Sequence, residues 1–117
     1  MKRLLIPFLL LIAASICYAT SNITFSGGGY DISVLLSYED CKVVGLNVSG
    51  DNGSIISIET KDLAAFSKAE CDCKKKTIHL VLPATKSRPY FELKSSSKNG
   101  RITLGEKKVN VSTDWQM

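Results

Sequence analysis

Apolar residues recur at every second position through most of the chain. Ile32, Val34, Leu36 and Tyr38 alternate with Ser33 and Ser37, Leu35 being the apolar exception. Val44, Leu46 and Val48 alternate with Gly45 and Asn47, and Ile78, Leu80 and Leu82 with Thr77, His79 and Val81. Ile102 with Leu104, and Val109 with Val111, continue the pattern. Successive side chains of an extended chain point to opposite faces, so this period predicts strands with one face on a core and one toward water. A first short strand is expected near residues 22–25. "RPYFEL" reads as a strand entered through Pro89, with Phe91 and Leu93 inward and Tyr90 outward.

Turn chemistry falls between these runs. Asn52-Gly53 and Asn99-Gly100 supply the positive φ angles of tight hairpins, and Gly105 offers a third reversal. Gly27 to Gly29 read as a flexible turn; neither a helix pattern nor a phosphate-binding lysine follows them. One stretch, "TKDLAAFSKAE", carries helical signals: Thr60 as cap, Asp62 at the positive end, Leu63 and Phe66 on one face. The expectation is an all-β fold, a small antiparallel sandwich or barrel of about eight short strands with one short helix over 61–70.

The first residues change the picture of where this fold works. Lys2 and Arg3 precede an uncharged apolar run over 4–16, and small residues follow near Ala19. That is the layout of a secretory signal peptide over 1–19, with a single β-rich domain over 20–117. The run is short of the ~20 apolar residues of a membrane span, so no stable span is expected after processing. A retained N-terminal anchor and lipidation at Cys17 are the alternatives. The expected location is secreted, periplasmic or cell-surface.

Charge rules out one partner class. The chain has 15 Lys+Arg against 11 Asp+Glu, and without Lys2 and Arg3 the balance is +2, which is no nucleic-acid signature. The charge is unevenly spread. Residues 20–73 hold eight acids and three lysines, a balance of −5, whereas 74–117 hold ten bases and three acids, +7. The halves are expected to pair across one fold. A polar molecule that meets an anionic surface, or self-associates head to tail, is the sharper alternative.

Cys41, Cys71 and Cys73 follow the predicted cleavage point, and an exported chain is expected to form a disulfide. Two extended residues span about 6.6 Å, near the limit for bridged Cα atoms, which disfavours Cys71–Cys73. Cys41 is therefore expected to pair with Cys71 or Cys73, closing a loop of about 30 residues and leaving one thiol spare. A spare sulfur beside a bridge allows exchange between two alternative pairings. A metal site on Cys71 and Cys73 is the outside reading. In a continuous strand His79 stands about 20 Å from Cys73, too far to share an ion unless Lys74 to Lys76 form a tight turn.

His79 is the one histidine, and no carboxylate adjoins it in sequence to orient it. No nucleophile elbow, paired-histidine zinc motif or dinucleotide fingerprint is present. Neither catalysis nor a cofactor is expected. Asn22, Asn47, Asn52 and Asn110 each begin an N-glycosylation sequon, which matters in a eukaryotic, viral or archaeal host. Lys74, Lys75 and Lys76, with Lys107 and Lys108, read as solvated strand ends or as a basic rim for acidic glycans or phospholipid headgroups. Tyr90 and Trp115 are candidate stacking surfaces, with core packing or a tail tie-down as the other account of Trp115. The function expected is binding of a protein, glycan or envelope component, with a thiol-based metal-binding or redox protein using Cys71 and Cys73 as the alternative.

Overall fold

A computed structural model describes residues 20–37 and 39–116. The predicted signal peptide over 1–19, and Tyr38 among the inward positions, lie outside the described residues. Among the described residues the chain forms nine antiparallel strands: β1 Thr20–Gly27, β2 Tyr30–Ser37, β3 Val43–Gly50, β4 Gly53–Ile58, β5 Lys68–Asp72, β6 Thr77–Leu82, β7 Phe91–Ser95, β8 Asn99–Leu104 and β9 Lys107–Gln116. They make one sheet in the order β4-β3-β2-β1-β9-β8-β7-β6-β5. Two meanders, β1 to β4 and β5 to β9, are joined where the first strand pairs with the last, Asn22 opposite Gln116 and Ser26 opposite Ser112.

The expected all-β, antiparallel character is therefore present; of the two architectures expected, the sheet forms no sandwich and only half of a barrel. The sheet is continuous and curls into a half-barrel. Strand twist accumulates across a wide sheet, and burying one apolar face on itself favours the curl. Ile23, Phe25, Val34, Leu36, Leu80, Leu82, Phe91, Leu93 and Ile102 belong to a single buried cluster inside it. Each such side chain, fully buried, contributes roughly 1.5–3 kcal/mol.

Alternation fails where the ladder carries an extra residue. Leu35 faces Gly45 and Leu36 faces Val43, so Val44 is a bulge without a partner on β2. Val43 is buried in the place expected of Val44, and Val44 joins Leu35, 41% exposed, on the outer side. A second bulge at Ile55 lets Ile56 and Ile58 point inward. A single inserted residue reverses the facing of all that precede it on that strand.

The predicted helix over 61–70 is corrected. Thr60–Ala65 forms a short 3₁₀ turn, and Lys68–Asp72 is the edge strand β5. No side chain caps the turn; Thr60 Oγ1 instead donates to the Val44 carbonyl at 3.1 Å. So short a helix is costly to nucleate, whereas residues 67–72 gain a ladder on β6, beginning with the Ser67 amide on the Val81 carbonyl at 2.9 Å. The connection crosses the gap between the edges β4 and β5, and Leu63, Ala65 and Phe66 lie half-buried against the core.

The two Asn-Gly pairs behave differently from the expectation. Gly53 takes a left-handed φ of 108°, but Asp51 and Asn52 form the turn before it. Asn99 and Gly100 already belong to β8, after a turn at 96–98. Gly100 is needed for close approach: a Cβ there would stand 2.9 Å from Ser95 Oγ. Ser95 is buried and bonded to the Ser96 and Asn99 carbonyls and to Thr113 Oγ1.

Phe91 sits fully buried on the central face of the second meander. Phe91→Ala should lower unfolding free energy by about 3–5 kcal/mol in urea titrations, the cost of a large cavity the rigid sheet cannot close.

Candidate functional site

Two constellations stand out, one of sulfur and one of charge. The sulfur cluster lies where both meanders turn at the same end of the half-barrel. Cys41 occupies the β2–β3 connection, pinned by its amide on the Ser37 carbonyl at 3.0 Å and the Ser37 amide on the Lys42 carbonyl at 2.8 Å. Its φ of 54° is left-handed, a conformation in which glycine or asparagine is the usual occupant. Cys73 follows β5 directly and enters a tight turn. There Asp72 Oδ1 accepts the amides of Lys74 at 3.0 Å and Lys75 at 3.1 Å, and Lys76 is left-handed at φ 56°.

The disulfide joins Cys41 to Cys73, with Cα atoms 6.0 Å apart and a separation of 32 positions in sequence. It links the β2–β3 connection of one meander to the β5–β6 turn of the other. Cys71, opposite Ile78 on the inner side of β5, is the spare thiol, and its Sγ lies 3.1 Å from Cys41 Sγ. All three Sγ atoms fall within 4.8 Å of one another. Burial, aided by the negative charge of Asp72, pushes the Cys71 thiol up to about 11, so it stays protonated at neutral pH. Among the described residues this is the one group whose ligand atoms lie near enough to share a metal ion, and the bridge leaves it a single thiol.

The turn at Lys74 to Lys76 also settles the place of His79. It shifts the parity, so Glu70 faces His79 on the outer side while Cys71 faces Ile78 on the inner side. The tight turn that a shared ion would require at Lys74 to Lys76 is therefore present, but it carries His79 to the face away from the sulfurs.

His79 instead meets Glu92. Its Nε2 lies 2.7 Å from Glu92 Oε2, and the Tyr90 hydroxyl donates to Glu92 Oε1 at 3.3 Å. The His79 bond, and then the Tyr90 bond and the charges of His79 and Lys94, hold the Glu92 carboxyl below the usual glutamate range against partial desolvation. The pair is accessible enough (side chains 23% and 32% exposed) that water screens it.

Beside this pair the ladder sets cation against cation. Lys94 on β7 stands directly opposite Arg101 on β8, and Lys108 on β9 is opposite Thr103. Lys94, Arg101 and Lys108 line a shallow outer recess of about 420 Å³ with Thr103 and Glu92, its one acid. An adjoining recess of about 660 Å³ runs past His79 and Lys94 toward Glu70 and Asp72. Arg101 Nε donates to Asn110 Oδ1 at 3.4 Å; no acid of the described residues is within ion-pair distance of Lys94, Arg101 or Lys108.

The residues singled out in sequence do not converge. Lys74, Lys75 and Lys76 are exposed at the sulfur end of β6, and Tyr90 leads into β7 at the other end. Trp115 opposes buried Ile23 and packs against the core, its Nε1 buried without a hydrogen-bond partner. Asn47, Asn52 and Asn110 are exposed, while Asn22 is half-buried and accepts from Ser33 Oγ at 2.7 Å. The residues missed were Glu92, Lys94 and Arg101; Lys108 was read only as a strand end or rim charge. The alternation of Tyr90, Glu92 and Lys94 already put those three on one outer face; the cross-strand registers were not available.

The chain matches no known protein family, no curated protein and no solved structure at a significant level. Among the described residues no helix is long and apolar enough to cross a membrane.

Two measurements follow from this geometry. Cys41→Ser removes the staple between meanders and should cost roughly 3–4 kcal/mol in urea titrations under oxidising conditions, the loop-closure value for about 30 residues. A folded-state carboxyl held low stabilises above the ordinary glutamate pKa of about 4.3 and loses that contribution as pH falls through the folded value. Stability of the unsubstituted chain should therefore fall more steeply below about pH 4.3 than that of Glu92→Gln; parallel acid limbs in urea titrations across pH would show that Glu92 is not held.

Proposed function

We propose that this protein is an exported binding module that docks an acidic glycan on the outer face of β6 to β9. One observation carries the reading: Lys94 and Arg101 oppose each other across the ladder, Lys108 shares their recess, and Glu92 is engaged by His79 and Tyr90. Like charges directly opposite each other destabilise a sheet. A ligand bearing carboxylate or sulfate groups would relieve that repulsion, and guanidinium and ammonium donors at strand spacing suit such groups. The shallow form of the recess suits an extended chain of sugars, with the Tyr90 ring at its margin.

Export rests on the leader-like residues 1–19 and is supported by the disulfide, which persists in oxidising compartments. Catalysis is not part of this reading. Among the described residues no hydroxyl or thiol is hydrogen-bonded to His79, whose partner is Glu92.

The test is calorimetric titration of the 20–117 domain with a heparin-derived oligosaccharide and, separately, an oligogalacturonate. Binding should weaken with salt, and Lys94→Glu with Arg101→Glu should lower affinity at least about tenfold, or about 1.4 kcal/mol. Lys74→Gln, Lys75→Gln and Lys76→Gln together should change it less than about threefold, being rim charges outside the recess. Equal losses from both sets, or no binding of either oligosaccharide, overturns the assignment.

A further inference from the structure

We infer that the disulfide is a movable one: Cys71 exchanges with Cys73 for Cys41, so the protein has two bridged states, Cys41–Cys73 and Cys41–Cys71. The inference is independent of the glycan face. Its ground is the arrangement of the sulfurs. Cys71 Sγ approaches Cys41 Sγ to 3.1 Å, closer than two unbonded sulfurs sit in ordinary packing, and all three lie within 4.8 Å. Cys41 is the shared member, and its connection is held by backbone bonds to Ser37 and Lys42. The incoming and departing sulfurs lie two residues apart on one strand, so the exchange asks for a local adjustment of residues 71–73.

The step is balanced without any external oxidant or reductant. Solvent base takes the Cys71 proton, and the thiolate attacks Cys41 Sγ. A Cys41–Cys71 bond forms as the Cys41–Cys73 bond breaks, and the electron pair leaves on Cys73, which can take up a proton. Cys71 is only half-buried, which gives solvent a way to it.

The charged groups around the centre make the two states unequal. Asp72 stands next to Cys71 on β5 and opposes its ionisation, and the facing residue of β6 is apolar Ile78. From the facing β2–β3 connection Asp40 and Lys42 flank Cys41 and lie 4.0 Å apart, close to mutual neutralisation. Cys73 in contrast leads directly into Lys74, Lys75 and Lys76, cations that favour a thiolate. The exchanged state thus turns a protected thiol into a reactive one at the mouth of an exposed turn. The chemistry it offers there is mixed-disulfide formation with a thiol or disulfide of another protein.

The experiment uses the oxidised 20–117 domain, alkylated with N-ethylmaleimide under non-reducing conditions. Tandem mass spectrometry then locates the label on either side of Asp72. At about pH 7 label should sit on Cys71; after incubation at about pH 9 it should appear on Cys73, with a rate on the order of 100-fold greater, because thiolate fraction rises tenfold per pH unit. Cys73→Ser should form the Cys41–Cys71 bridge and carry no free thiol, while Cys71→Ser keeps Cys41–Cys73 and takes no label at either pH. Two free thiols in Cys73→Ser with an unchanged strand circular-dichroism spectrum, or label confined to Cys71 in the unsubstituted chain after long incubation at high pH, overturns the inference.

Discussion

The ladder between β1 and β9 is the constraint on which the rest depends. It joins two meanders that are each built from near neighbours in sequence, and it does so with the strands farthest apart along the chain. Ile23 and Phe25 from one side, and Val111 and Trp115 from the other, bring the two halves of the core into one cluster. Without that seam each meander would show water an apolar face, which small open sheets do not tolerate. Pairing so remote in sequence carries a high loop-closure cost before any contact repays it. The seam is therefore a natural late step in folding, after the local hairpins.

The disulfide acts at the opposite side of the curl. The seam holds the middle of the sheet, and Cys41–Cys73 ties together the ends of hairpins from each half, near the edge strand β5. The 3₁₀ turn crosses the same gap with Leu63 and Phe66 tucked against the core. A half-barrel with two free edges is open to pairing with other chains. On β5 the exposed Lys68 and Glu70, 3.7 Å apart as an ion pair, put charge on that edge.

Much of the inward face was legible because period two is a local property. Ile32, Val34 and Leu36, then Ile78, Leu80 and Leu82, then Phe91 and Leu93, are buried where alternation places them. Val44 was misread because a bulge is decided by the partner strand, and nothing in "KVVGL" announces which valine is extra. Residues 68–70 were misread because an edge strand exposed on three successive positions carries no alternation, so the weak helical signals of 60–66 ran on into them. The candidate recess was illegible for a related reason. Glu92 lies thirteen residues from His79 and reaches it only through a diagonal across β6 and β7, whose register is fixed by the long 83–90 connection. Sequence offered the separation of charge into an acidic and a basic part, but not that Lys94 and Arg101 would be placed face to face.

The left-handed backbone of Cys41 has a consequence for how this chain tolerates change. Relaxing the main chain there would call for glycine or asparagine, and either would delete the sulfur that Cys71 and Cys73 both reach. Conformational ease and covalent tethering thus compete at one residue. Its occupant is a compromise that drift toward the locally comfortable amino acid would break at once, severing the two halves of the molecule at their outer rim.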